Sequence, residues 1–186
     1  MNLYQLLETG FPKDKSSCAS ETHDGLYYSW DDLEKATSKM ANLLASLKLP
    51  QGSRVAVQVE KSPEALFLYL ATLKAGLVYL PLNTAYQAAE IEYFLGNAEP
   101  AVVVCSPKNH EWVKKVANKC GTKHVLTLGD DRSGTLLEKA GKLSDKFKTV
   151  KRADDDLAAI LYTSGTTGRS KGAMLTDRKS TRLNSS

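Results

Sequence analysis

Chemistry in this 186-residue chain concentrates in one stretch, Leu161-Tyr162-Thr163-Ser164-Gly165-Thr166-Thr167-Gly168-Arg169-Ser170-Lys171-Gly172. Gly165 and Gly168 permit tight turns and close approach of the backbone to a ligand. Thr163, Ser164, Thr166 and Thr167 offer hydroxyl donors, and Lys171 offers a compact positive charge. No acid interrupts them. Backbone N–H groups, hydroxyls and one ammonium can converge here on a single polyphosphate. The loop is not a Walker loop, which requires Gly-x-x-x-x-Gly-Lys-Ser/Thr. Ser170 precedes Lys171 and Gly172 follows it, so the pattern fails on both sides. A flexible polar linker is the competing reading. The apolar run Leu157-Ala158-Ala159-Ile160-Leu161-Tyr162 before the loop and Ala173-Met174-Leu175 after it argue against a linker.

Other candidate groups carry less. His23, His110 and His124 are scattered, with no serine, cysteine or acid at a telling spacing. Cys18, Cys105 and Cys120 lack metal-ligand spacing, and their odd number suits a reducing compartment without a disulfide framework. Asp154-Asp155-Asp156 reads as a solvated turn before a strand rather than a metal site. No general acid, base or nucleophile, and no metal site, is expected among these residues.

The elements that must position the loop are legible in the periodicity. Ser29 with Asp32 approximates a capping box, and Leu33, Ala36, Met40, Leu43, Leu44 and Leu47 recur at helical spacing. Gly52 breaks the chain before the strand Val55–Val59. Ser62-Pro63-Glu64 opens a second helix with a hydroxyl cap, a proline and an acid. Leu66, Phe67, Leu70 and Leu73 make its expected buried stripe, and Gly76 its left-handed end. A strand follows at Val78-Tyr79-Leu80. Ala89, Ile91, Phe94 and Leu95 predict a short helix stopped by Gly96. The unbroken apolar run Ala101–Cys105 predicts a strand covered on both faces. A helix near Glu111–Lys119 and a strand at His124–Leu128 come next. Residues 129–153, rich in Gly, Ser, Asp and Lys, predict a surface excursion with one helix. The alternation implies an α/β fold with a mainly parallel sheet flanked by helices.

Composition narrows the partners. Hydrophobic content of 42% and charged content of 25% are those of a globular domain. No run reaches the ~18 apolar residues of a membrane span, and the N-terminus lacks a secretory signal, so the expected location is cytoplasmic. Of the net charge of +4, half comes from residues 177–186, through Arg178, Lys179 and Arg182 against Asp177. The rest forms no basic face with interleaved aromatics, so nucleic acid is not an expected partner.

From Tyr162 to Thr176 the sequence closely resembles the phosphate-binding motif of adenylate-forming enzymes, the superfamily of acyl-CoA synthetases, luciferases and peptide-synthetase adenylation domains. The resemblance implies that Thr163, Ser164, Gly165, Thr166, Thr167, Gly168 and Lys171 hold the phosphates of ATP, with Mg²⁺ as cofactor. A carboxylate then attacks the α-phosphate, and coenzyme A captures the acyl-adenylate. Upstream, Arg54–Ser62, Leu68–Ala71, Val78–Tyr86, Glu92-Tyr93-Phe94 and Ala98-Glu99-Pro100 resemble malonyl-CoA synthetases in particular. So does the pair Arg169-Ser170 before the motif lysine, where many relatives place proline. These segments are mostly scaffold, and Glu60, Lys61 and Tyr86 read as surface or packing groups. A medium- or long-chain acyl-CoA ligase and a non-catalytic nucleotide-binding module are the alternatives.

Family members continue past the lysine with an apolar strand, a Thr/Ser-His pair and a helix. Here Asp177 to Ser186 show neither the histidine nor an apolar helical pattern. These ten residues match the in-frame translation of a common sequencing-library adapter. The expectation is therefore a truncated N-terminal part of an adenylation domain over residues 1–176, followed by a non-native read-through tail over 177–186. Such a part lacks the family's acyl pocket, ribose-binding aspartate, Mg²⁺-holding acid and C-terminal lysine. The fragment alone is expected to be inactive and to bind ATP weakly or not at all.

Overall fold

Strands with apolar residues on both sides need a helical layer on each face, and this chain supplies both. The computed structural model describes residues 2–163 and 171–176. The loop positions 164–170 and the expected tail 177–186 lie outside the described residues.

The described elements are, in order, α1 (Leu3–Glu8), β1 (Cys18–Glu21), β2 (Tyr27–Ser29), α2 (Trp30–Ser46), β3 (Arg54–Gln58), α3 (Pro63–Lys74) and β4 (Val78–Pro81). They continue with α4 (Ala88–Ala98), β5 (Val102–Cys105), α5 (His110–Lys119), β6 (His124–Thr127), α6 (Thr135–Ala140), β7 (Leu157–Thr163) and β8 (Lys171–Thr176). Strands β1 and β2 form a separate antiparallel pair. The main sheet has the order β6-β5-β3-β4-β7-β8, parallel from β6 to β7, with β8 antiparallel to β7. This is the α/β class with a mainly parallel sheet that the alternation implied.

Alternation along each strand divides the core. Val55 and Val57 of β3, Val102 and Val104 of β5 and Ala158 of β7 face α1, α2, α3 and α6. Ala56, Val103, Cys105 and Ile160 face α4 and α5. All four residues of β5 are buried, as its unbroken apolar run required.

Helix ends lie where local chemistry places them at three positions. Ser29 accepts from the Asp32 N–H, and Asp32 reaches back to the Ser29 N–H at 3.0 Å, completing a capping box. Ser62 caps α3 through the Ala65 N–H at 3.1 Å, with Pro63 in the first turn. Gly76 follows α3 with φ +71°, and a Cβ there would lie 2.8 Å from Val150 Cγ1. Asp154 to Asp156 form a turn in which Asp156 accepts from the Ala153 N–H and pairs with Arg152 at 3.3 Å.

Three expectations are corrected. Leu66 is exposed, and α3 instead buries Phe67, Leu68, Leu70, Ala71 and Leu73. The helix is wedged between the sheet and the helices α1 and α2, so its buried face is shifted and broad. Gly96 does not stop α4, which runs on to Ala98 because Ala98 is buried beside Phe94 and Leu95. The helix ends at Glu99, whose φ of 45° is left-handed, just before Pro100. Residues 129–153 are more than a surface excursion. Leu136 and Ala140 are buried, and Leu143 and Phe147 pack against the same core. Side-chain amides hold this segment down: Asn42 donates to the carbonyls of Ser144 and Lys146, Gln51 to Lys151, and Asn2 to Val150.

Candidate phosphate-binding site

The loop is carried by an antiparallel hairpin. Strand β7 extends the parallel sheet through Tyr79 opposite Ala159, and β8 returns beside it. Thr163 is opposite Lys171, Tyr162 opposite Gly172 and Leu161 opposite Ala173. Thr163 and Lys171, the first and last of the expected phosphate ligands, therefore face each other across the hairpin. Ser164, Gly165, Thr166, Thr167 and Gly168 connect them and lie outside the described residues.

Strand β7 ends, and β8 begins, at the carboxyl ends of the parallel strands, where ligands of open α/β sheets bind. Other polar residues gather at this edge. Gln58, at the end of β3, is buried and donates from Nε2 to the carbonyls of Asn83 and Tyr86 at 3.1 and 2.9 Å. Past β3 and β4 lies a concavity of about 710 Å³, lined among others by Lys61, Asn83, Thr84 and Asp130. Glu60 pairs with Lys108 at 3.3 Å, and Tyr86 packs on Phe94 with ring centroids 4.9 Å apart. Both are engaged as the surface and packing groups expected from the sequence.

Tyr162 anchors the strand end that leads into the loop. Its hydroxyl donates to Asn97 Oδ1 of α4 at 2.5 Å, and its ring centroid lies 4.6 Å from that of Phe94. The ring also covers the backbone opposite: a Cβ on Gly172 would lie 3.4 Å from Tyr162 Cε1. Partial burial raises the Tyr162 pKa above its ordinary value. Asn97 is not legible in the sequence, because Gly96 marks the expected end of its helix. With α4 extended, Phe94 and Asn97 are three residues apart on one face, a spacing that would have found the pair.

Burial pushes the Cys105 thiol up to about 12, which removes its nucleophilic form. His23 is in a turn, while His110 and His124 begin α5 and β6. The donor set of the loop fits polyphosphate chemistry. Among the described residues no group of three or more His, Cys, Asp or Glu is placed to hold a metal ion. No described helix is long and apolar enough to cross a membrane.

Comparison with known proteins agrees with this geometry. The sequence profile of the AMP-binding enzyme family matches residues 9–185. The chain belongs to the AMP-binding enzyme family. MatB from Rhodopseudomonas palustris, solved with ATP bound, superposes with a TM-score of 0.89 at 49% identity over 95% of this chain and 35% of its own. The apo form of that protein gives the same TM-score at 48% identity. The crotonobetaine/carnitine–CoA ligase of Salmonella paratyphi B is 28% identical over 94% of this chain and 36% of its own length. The anthranilate–CoA ligase AuaEII, at 18% identity and a TM-score of 0.84, shares the fold. This AMP-binding chain thus spans about a third of the length of the relatives it matches.

Proposed function

We propose that residues 163–171 hold the phosphates of ATP in an AMP-forming acid–CoA ligase whose acid is malonate. The observation that carries this reading is the pairing of Thr163 with Lys171 at the carboxyl edge of the sheet, in a chain 49% identical to an ATP-bound relative. Backbone N–H groups near Gly165 and Gly168 and the hydroxyls of Thr163, Ser164, Thr166 and Thr167 donate to the phosphate oxygens. Lys171 adds a fixed positive charge. Together they hold the triphosphate so that a carboxylate can approach the α-phosphorus in line, and they stabilise charge on the departing diphosphate. Mg²⁺ would neutralise phosphate charge when bound. Coenzyme A then takes the acyl group from the acyl-adenylate, releasing AMP.

Malonate is favoured over other acids by the segments Arg54–Ser62 and Val78–Tyr86, which resemble malonyl-CoA synthetases, and by Arg169-Ser170 before the lysine. The competing acyl group is a betaine such as crotonobetaine, named by a relative of lower identity. The test is thiol-dependent AMP release by the complete ligase carrying this segment, with malonate, crotonobetaine and a medium-chain fatty acid. Malonate should give the highest kcat/KM. Equal or faster turnover of either other acid overturns the malonate assignment.

A further inference from the structure

We infer that Tyr162, tied to Asn97 and seated on Gly172, is a positioning residue that fixes the base of the phosphate loop. The inference rests on the reading of 163–171 as the ATP site, and it concerns residues outside the loop. Tyr162 immediately precedes Thr163, and Gly172 immediately follows Lys171. One aromatic ring therefore touches both arms of the hairpin next to the residues where they enter the loop.

Three restraints converge on that ring. Phe94 packs against it at 4.6 Å, and Phe94 is itself packed by Tyr86 at 4.9 Å. Gln58 holds the carbonyl of Tyr86, so the end of β3 braces the same cluster. The Tyr162 hydroxyl reaches past Phe94 to Asn97 Oδ1 at 2.5 Å. On the other side the ring lies against Gly172, where a Cβ would be in van der Waals contact with Tyr162 Cε1 at 3.4 Å. Packing alone would permit the ring to slide along α4. The hydrogen bond to Asn97 removes that freedom and sets the height of the hairpin end against the helix.

A loop whose donors must converge on one anion binds more tightly when its base is ordered before the ligand arrives. The ring supplies stability as well, so the hydroxyl and its acceptor must be tested apart from the ring. Tyr162→Phe removes the hydroxyl alone. Asn97→Leu removes the acceptor, and Asn97→Asp keeps an acceptor oxygen in place.

The experiment follows the backbone amides of residues 164–172 by NMR while the 186-residue chain is titrated with inorganic tripolyphosphate, each variant at a temperature where it is fully folded. Tyr162→Phe and Asn97→Leu should weaken the response roughly threefold or more, the fraction of a lost hydrogen bond passed to the loop. Asn97→Asp should stay within about twofold of wild type, and Tyr162→Phe combined with Asn97→Leu should be no weaker than either alone. A folded Tyr162→Phe that binds tripolyphosphate like wild type overturns the positioning role and leaves the loop reading intact. A wild-type chain whose 164–172 amides do not respond even at roughly 50 mM tripolyphosphate, well above a millimolar dissociation constant, overturns the loop reading itself. If Asn97→Leu fails to fold, Tyr162→Phe and Asn97→Asp decide the matter alone.

Discussion

Thr163 and Lys171 are register partners in the β7–β8 hairpin, at the edge of the sheet where the parallel strands end. A loop closed at its base in this way starts from a fixed origin, because β7 belongs to a sheet with a core on each face and β8 pairs along it. Strand β7 is held by β4 on one side and β8 on the other. The loop's chemistry and the fold's stability are thus separable. Substitutions in the core should change stability, and substitutions at the hairpin end should change anion binding.

Gly76→Ala tests the core side of that division. The residue sits at φ +71°, and its new Cβ would lie 2.8 Å from Val150 Cγ1. Left-handed backbone strain and a clash with a held-down segment should together cost about 1–3 kcal/mol. Urea denaturation of wild type and variant measures this, with an unchanged m-value expected. A loss below about 0.5 kcal/mol would show that the 142–153 segment yields easily.

Thiol labelling should follow burial. Cys18 is exposed and Cys105 is fully buried, its thiol pushed up to about 12 by desolvation. Brief iodoacetamide treatment of the native chain, read by peptide mass spectrometry, should modify Cys18 and spare Cys105 until denaturant is added. Rapid native labelling of Cys105 would contradict the two-faced burial of β5.

Lys74 gives a pH dependence of definite sign. It is only 4% exposed, donates to Ser38 Oγ at 2.9 Å and lies 4.7 Å from the centre of the Tyr4 ring. Burial lowers its pKa below the ordinary 10.5, against the opposing pull of Glu8 and Glu34. Asp31, Lys35, Asp145 and Lys146 also line the cleft around it. A cation with a lowered folded-state pKa binds fewer protons folded than unfolded between the two values. Its contribution to stability therefore rises as pH climbs from the folded pKa towards 10.5. Urea denaturation of wild type and Lys74→Met from neutral pH to about 10 should show wild type gaining relative to the variant. A relative loss over that range contradicts the buried-ammonium description.

What was legible in the sequence had local causes. The Ser29–Asp32 box, the Ser62-Pro63 start and the Gly76 stop each depend on residues within one turn, and each is where the pattern placed it. Helix α1 and the β1–β2 pair escaped notice. The helix has six residues, and the two strands of four and three residues carry mixed burial with an irregular register. The anchoring of the 142–153 segment is not legible in the sequence because the groups holding it are far away along the chain. Asn2 reaches Val150 across 148 positions and Asn42 reaches Ser144 across 102. At the site, the residue types of the loop were legible and the Tyr162–Asn97 tie was not, since it depends on where α4 ends.

The isolated 186-residue chain should bind ATP weakly. It spans about a third of the length of the relatives it matches, one of which is solved with ATP bound. Calorimetry should give a dissociation constant in the millimolar range or weaker. A micromolar value would mean that the described elements and the loop suffice for the whole nucleotide.

The central claim is that residues 163–171 bind the phosphates of ATP. Its most direct test is an NMR titration of the ¹⁵N-labelled chain with ATP and Mg²⁺, in wild type and in Lys171→Ala. Shift changes should concentrate on the amides of 163–172 in wild type, and the affinity should fall by about tenfold or more without the ammonium. Shift changes that centre elsewhere on the sheet, or that persist undiminished in Lys171→Ala, would contradict the claim.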